Sequence, residues 1–449
     1  MSWKIAMIGG GSVLWIPRLG CDLLLQPELD GSELVLVDID AEAVKLCRAY
    51  LQECAKRLKC HWKISIASEN SALKGADCVV VSISTGGFEA MDRDYTIPEK
   101  YGVYHSVSDT TGPGGIFRTL RNAPVFLGIA KKMARLCPDA WMVHVTNPLS
   151  QITRIVSNTG LVRCCGLCHE VRIAINKLSK FLGLEKPEDL DPVFVGVNHF
   201  TLMTELHAKG IKDPMARLNL NDYLNYCTPG AVLPTGTVDD LVVKGTASTY
   251  PLYVNMFLKE ILDAYPAADS PHIIENLPRF LNDLSLLPKF KLWRKGVLPA
   301  RPDTKRKLGE TLRQTLAEHK TPPEIAERSG EMLCDALVGL LSGEPRRIIA
   351  TMPNSGQVDN LPRSASVETW AVASRSGVHP VQSGSVPMSA LGFMSSVVAE
   401  QELTCAAAVK RDRHLVRQAL FASPLLHQKE NVDALMQDLF DGEKKWLDW

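Results

Sequence analysis

Neither sign of charge is in excess. Fifty Lys plus Arg balance fifty Asp plus Glu over 449 residues, so the net charge is zero. A basic footprint for nucleic acid and an acidic tail are both missing. No apolar run approaches the roughly 18 residues that a membrane span needs. Nucleic acid and membrane are therefore not expected as partners. Cysteine is too sparse for a disulfide scaffold, at twelve in the whole chain. Several sit inside or beside apolar runs, as Cys21, Cys47, Cys78 and Cys405 do. The opening segment MSWKIAMIGGGSVLW has its apolar stretch broken by three glycines. No small-residue cleavage site follows, so it does not read as a signal peptide. Reduced thiols in a cytoplasmic protein are the expectation. Internal repeats and low-complexity tracts are lacking too. What is there is 45% hydrophobic and 22% charged, which suits a globular enzyme of two or three domains with a large core.

The N-terminal third alternates strand and helix. KIAMI (4–8) is a short apolar run that stops at Gly9, Gly10, Gly11 and Ser12. A helical pattern through Leu14, Leu19 and Leu23 follows, then the apolar ELVLVD (33–38). Over 41–58, apolar residues recur at steps of three or four, which predicts one helical face. ADCVVVSIS (76–84) and AWMVHVTNP (140–148) read as strands buried on both faces, with a helix over 116–136 between them. This order predicts a doubly wound parallel sheet of Rossmann type. Its first loop has Gly9 and Gly11 where a dinucleotide fold needs a tight turn and close approach of a pyrophosphate. The third glycine of that fingerprint is replaced by Leu14. Asp38 ends the second strand, where an acid binds the ribose hydroxyls and favours NAD over NADP. Gly9, Gly11, Ser12 and Asp38 are the cofactor candidates.

Three further stretches carry candidate chemistry. In SDTTGPGGIFRTLR (108–121), glycine and proline predict a loop, with RTLR opening a helix. Asp109 and Arg118 there can meet an anion or a sugar, or line an ordinary surface loop. In VTNPLSQ (145–151), Asn147 stands at the C-terminal end of a buried strand, where open parallel sheets bind ligands. CGLCHEV (165–171) and FVGVNHF (194–200) each close on a histidine. Cys168, His169 and His199 can bind a divalent ion if they converge. On composition alone a core histidine is the better reading of either position.

Together these stretches resemble glycoside hydrolase family 4. The resemblance runs nearly end to end, through IGGGS (8–12), DTTGPGGIFRTLR (109–121), TNP (146–148), GLCHEV (166–171), GVNHF (196–200), MPNSGQVDNLP (352–362) and VVAEQELTCAA (397–407). Within the family the chain is most similar to the α-galacturonidase type. It is also similar to the NAD-dependent sulfoquinovosidases of family 188. Both handle sugars with an anionic C6 group. The resemblance implies NAD as cofactor and a divalent metal, Mn²⁺ by preference. It implies transient oxidation at C3, loss of the C2 proton, elimination at C1, addition of water and re-reduction. It matches Cys168 and His199 to the metal ligands and His169 to the leaving-group acid. Asn147 matches a substrate-binding amide, and Asp109, Arg118 and Asn198 join it as substrate-binding candidates. The C2 base falls in LVVKGTASTYPLYVNMF (241–257), where Tyr250 and Tyr253 are the candidates. A packed aromatic is an equal reading of each. The basic run at 289–307, around Trp293, can hold an anion or form a solvated face.

The expected architecture is a Rossmann-type NAD-binding domain over 1–190. An α+β domain follows over 191–449, with lactate/malate dehydrogenase-like organisation, and supplies substrate, metal and oligomer contacts. Terminal tryptophans in WLDW suggest a homodimer or homotetramer. Two other readings compete: a plain NAD-dependent dehydrogenase of a hydroxy acid or sugar acid, and a non-catalytic NAD-binding protein. Neither has a use for the Cys168 and His199 pair.

Overall fold

A computed structural model describes residues 2–227, 252–277, 279–285, 287, 301–426 and 431–447. The predicted strands form one sheet. β1 (Lys4–Ile8) lies at its centre, between β2 (Glu33–Val37) and β4 (Cys78–Val81). β3 (Lys63–Ile66) extends one side, and β5 (Trp141–His144) and β6 (Arg163–Gly166) extend the other. All six run parallel, in the order 3-2-1-4-5-6 of a dinucleotide fold.

Every residue of β4 and β5 is buried, so both faces need helices. The Ile16–Leu24, Ala41–Leu58 and Glu170–Leu182 helices cover one face, bringing Ile16, Cys47, Leu51 and Ile175 into its core. The Gly112–Leu136 and Leu149–Ser157 helices cover the other with Phe126, Ile129, Met133 and Ile152.

Two expectations need correction. The sheet is not purely parallel. β10 (Arg346–Pro353) joins the outer edge of β6 antiparallel, at Thr351 and Gly166. β11 (Ser366–Ser374) and β12 (Gly377–Pro380) continue it as a meander, giving nine strands. An uncovered β6 would present unpaired backbone groups, and the apolar RRIIATMP supplies the cover. Residues 346–380 thus complete the first sheet, although a division at 190 assigns them to the second half. The other correction concerns GPGG. It is the first turn of the Gly112–Leu136 helix, not a loop before it. Proline is tolerated there. The glycines admit the preceding chain: a Cβ on Gly114 would stand 1.9 Å from Ser108 Oγ, and one on Gly115 would stand 2.3 Å from the Thr110 carbonyl.

β7 (Leu190–Val197), β8 (Phe200–Ala208) and β9 (Tyr265–Pro266) make a separate antiparallel sheet. It packs with the Tyr253–Leu262 and Met388–Lys410 helices around Val195, Val197, Val254, Leu258 and Val397. Glu400 of the long Met388–Lys410 helix is fully buried and accepts the Gly112 N–H at 3.0 Å. Arg121, 2% exposed, is held by Asp94 at 2.6 Å and by Glu443 of the C-terminal helix at 2.9 Å. Trp446 is half-buried against Gly86, with the Arg93 guanidinium 5.2 Å from its ring centre. No helix among the described residues is long and apolar enough to cross a membrane.

Candidate active site

The loop at residues 9–12 is pinned between the tips of two strands. Gly9 and Gly10 both donate to the Val37 carbonyl at 2.9 Å. Gly9 has φ +90°, and a Cβ there would stand 1.9 Å from the Ser82 carbonyl oxygen. Gly11 donates to Asp38 Oδ2 at 2.8 Å, while Asp38 Oδ1 accepts the Asp40 N–H at 2.9 Å. The acid therefore shapes the loop with one lone pair on each oxygen and keeps others for a ligand hydroxyl. Ser12 closes the turn by donating its N–H to the Gly9 carbonyl. Leu14, at the third fingerprint position, is 43% exposed. The close packing expected there is made at Gly20 instead, where a Cβ would stand 2.6 Å from Leu51.

Beyond the C-terminal ends of the sheet strands, Asp109, Asn147, Cys168 and His199 converge. His199 sits in the two-residue turn joining β7 to β8, with φ +64°. Its carbonyl accepts from Asn276 Nδ2, and its Nδ1 faces Thr110 Oγ1 at 2.7 Å. That leaves Nε2 turned to Cys168 Sγ at 3.6 Å. Burial, and then His272, depress the His199 pKa well below the usual range, which keeps the ring in its neutral, ligating form. Burial, then Glu368 and Glu170, push the Cys168 thiol well up. A metal ion would reverse that, since it displaces the thiol proton.

Asp109, His199 and His272 offer ligand atoms within 4.8 Å of one another. The rings of His199 and His272 stack at 3.8 Å. Burial disfavours charge on His272, but Asp109, Glu170 and Glu275 outweigh it and raise its pKa. His272 Nδ1 is buried without a hydrogen-bond partner. The donors fit a first-row divalent ion. The 3.6 Å between Cys168 Sγ and His199 Nε2 suits two ligands sharing one ion, at metal distances of roughly 2.3 and 2.1 Å. Asp109, whose Oδ1 lies 3.7 Å from His199 Nδ1, places beside the pair the hard carboxylate donor that Mn²⁺ prefers to a thiolate, and His272 adds a borderline imidazole.

The remaining candidates are placed as follows. Asn147 donates to Asp109 Oδ2 at 3.0 Å, and its carbonyl accepts from Arg118 Nε and Asn122 Nδ2. Arg118 thus holds the backbone of Asn147. Asn198 is fully buried and donates to Glu368 Oε1 at 3.0 Å. Its Nδ2 anchors the hairpin to β11, while its Oδ1 is buried without a hydrogen-bond partner. His169 opens the Glu170–Leu182 helix, a third exposed, with Glu170 and Glu331 carboxylates 3.5 Å from its two ring nitrogens. Tyr253 is 1% exposed within the main apolar core, and burial raises its pKa. That placement suits the packed-aromatic reading of Tyr253. Tyr250 and residues 289–300 lie outside the described residues.

Residues 4–184 match the model of the Family 4 glycosyl hydrolases, and 194–426 match that of the family's C-terminal domain. The chain belongs to glycoside hydrolase family 4. It is an NAD-dependent glycosidase, so neither the plain dehydrogenase nor the non-catalytic binder stands. Among its relatives, an alpha-galacturonidase of Thermoanaerobacter italicus is 32% identical, covering 99% of this chain and 97% of its own. The crystal structure of lplD from Bacillus subtilis superposes with TM-score 0.85 at 28% identity, over 98% of this chain and 100% of that one. A 6-phospho-alpha-glucosidase from gut microorganisms, solved with NAD and Mn²⁺, shares the fold at TM-score 0.83 and 19% identity, over 99% of each chain. The malate dehydrogenase of Plasmodium falciparum shares it more distantly, at TM-score 0.50 and 14% identity, over 91% of this chain and 99% of its own.

Sequence reasoning about this family 4 chain missed His272, Thr110, Glu170 and Glu331. Glu170 lies inside the GLCHEV motif and was within reach. His272, in SPHIIENLP, carries no local signal. Its importance is purely spatial.

Proposed function

We propose that this enzyme hydrolyses α-glycosides of an anionic sugar, a hexuronide in the first place and a sulfoquinovoside in the second. The observation that carries this is the pairing of Cys168 with His199 at the same C-terminal end of the parallel sheet at which β1 runs into the 9–12 loop. The α-galacturonidase relatives support the hexuronide. Gly9, Gly11, Ser12 and Asp38 would hold NAD. Cys168 and His199, with Asp109 or His272, would hold the divalent ion. Bound NAD supplies reversible hydride exchange at C3, and a divalent ion supplies Lewis-acid polarisation of the neighbouring sugar oxygens.

The chain's own groups do the rest. Asn147 and Asp109 orient the sugar hydroxyls. His169, between two carboxylates and reachable from solvent, delivers a proton to the departing oxygen. Of the two tyrosines, Tyr250 keeps the proposed role of base at C2. Once C3 is a ketone, the C2 proton is acidic and the enolate expels an oxygen that is otherwise a poor leaving group.

Para-nitrophenyl α-galacturonide, α-glucuronide, α-sulfoquinovoside, α-glucoside and α-galactoside, each with and without NAD and Mn²⁺, test the proposal. Nitrophenol release from an anionic member that needs NAD, with no net reduced NAD, is expected. Hydrolysis confined to the neutral glycosides would refute the anionic substrate.

A further inference from the structure

The strand order reverses between β1 and β4, and a dinucleotide lies in the crevice outside the ends of those two strands. Two loops flank that crevice. One is the 9–12 loop after β1. The other, residues 82–87, follows β4 and leads into the Gly87–Glu99 helix. The strand tips meet closely, since Ser82 donates its N–H to the Ile8 carbonyl at 2.9 Å. The 82–87 loop has little to fix it from within. Ser84 and Gly87 are exposed, and its internal backbone bond runs from the Gly87 N–H to the Ser84 carbonyl.

What fixes this loop comes in large part from the other end of the chain. Thr85 is held through both backbone groups: its N–H donates to Asn122 Oδ1 at 3.0 Å, and its carbonyl accepts from Arg121 Nε at 3.4 Å. The rest of the Arg121 guanidinium is bound by Asp94 and, at 2.9 Å, by Glu443, the last residue of the Val432–Glu443 helix. Glu443 is fully buried, so removing it leaves more than a broken surface pair. At the next loop position, a Cβ on Gly86 would stand 3.2 Å from the Trp446 ring. That ring is itself fixed. The Arg93 guanidinium and the Lys445 ammonium lie 5.2 and 5.0 Å from its centre, and Glu89 pairs with both cations, at 2.8 and 2.9 Å. Arg93 also donates to the Gly442 carbonyl, and Tyr101 donates to Asp438 at 2.7 Å. The C-terminal segment thus grips the Gly87–Glu99 helix and both residues of the turn before it.

We infer that residues 432–447 brace the cofactor site. Glu443, through Arg121, and Trp446, through Gly86, hold the 82–87 loop at the spacing from the 9–12 loop that NAD requires. Both are positioning residues, acting on the cofactor only through that loop. The physical reason is entropic: a loop already fixed loses less freedom when its ligand arrives.

The test compares NAD affinity by calorimetry with Mn²⁺ affinity by equilibrium dialysis in the full chain. Trp446→Ala should weaken NAD binding about tenfold and leave Mn²⁺ binding unchanged, and Trp446→Phe should recover most of the loss. Glu443→Ala should weaken NAD binding more than Glu443→Gln, which keeps an acceptor for Arg121. Coupling is reciprocal, so NAD should slow amide hydrogen exchange over 432–447 in the wild type more than in the neighbouring Arg413–Ala422 helix. Unchanged NAD affinity in Trp446→Ala would overturn the brace. So would an equal loss of Mn²⁺ affinity, which marks general loosening, or equal slowing of exchange in the two helices. If Glu443→Ala does not fold, Trp446→Ala and the wild-type exchange decide the matter.

Discussion

At the scale of single residues, the site depends on a few positions where a side chain would be intolerable. Gly9 is the clearest. Its φ of +90° disfavours any other residue, and the carbonyl oxygen of Ser82 occupies the place a Cβ would take, at 1.9 Å. Gly9→Ala should cost about 3 kcal/mol or more of stability, combining backbone strain with displacement of β4. It should also weaken NAD binding, read by calorimetry. A near-neutral variant would refute this account of the loop. His199 is a related case. As a non-glycine residue at positive φ it is uncommon, although histidine is among the residues that tolerate this region. The hairpin turn holds it, with Asn198 tied to Glu368 on one side and Asn276 bonded to its carbonyl on the other. Asn198→Ala should therefore reduce metal affinity about 10- to 100-fold without removing a ligand. Equilibrium dialysis of Mn²⁺ measures this, and unchanged affinity would show that the hairpin holds His199 without that anchor.

At the scale of elements, periodicity carried far. The helix at 41–58 has the bounds that its apolar pattern indicates, because nearly every turn buries a residue. The start of the Gly112–Leu136 helix was not legible. Glycine and proline normally interrupt helices, and only the contact of Gly114 and Gly115 with the chain at 108–110 explains their presence. The partner of that helix start was equally hidden. Glu400 lies almost three hundred residues away in sequence, yet its carboxyl receives the Gly112 N–H. Burial raises its pKa to about 8. The folded state therefore holds a proton that the unfolded chain releases near pH 4.5. This contribution is fully present below pH 4.5 and is lost as pH rises toward 8, at up to about 1.4 kcal/mol per unit. Glu400→Gln keeps an acceptor and removes the titration. Its denaturation midpoint should fall less than wild type between pH 5 and 8. Parallel curves would show that Glu400 is ionised throughout.

At the scale of the whole molecule, the nine-stranded sheet binds the two halves of the sequence together. Residues 1–190 alone would leave β6 without its neighbour and Arg121 without Glu443. Expressed alone, that segment should aggregate or remain loosely packed, whereas the full chain should unfold in urea with coincident fluorescence and circular dichroism transitions. A soluble, cooperatively folding 1–190 fragment would contradict this. The sequence suggested two consecutive domains because the alternation of strand and helix weakens near 190. It gives no sign that a later segment returns to the first sheet, since strand pairing leaves little trace in local pattern.

The return of β10 to β6 also bears on how the protein is made. Gly166 leaves the ribosome long before Thr351, its partner across the sheet. At about 5–20 residues per second, the edge of an otherwise complete nucleotide fold stands open for on the order of ten seconds or more. Whatever shields that edge during synthesis, a chaperone or the nascent chain itself, governs the yield of active enzyme as much as the stability of the finished fold.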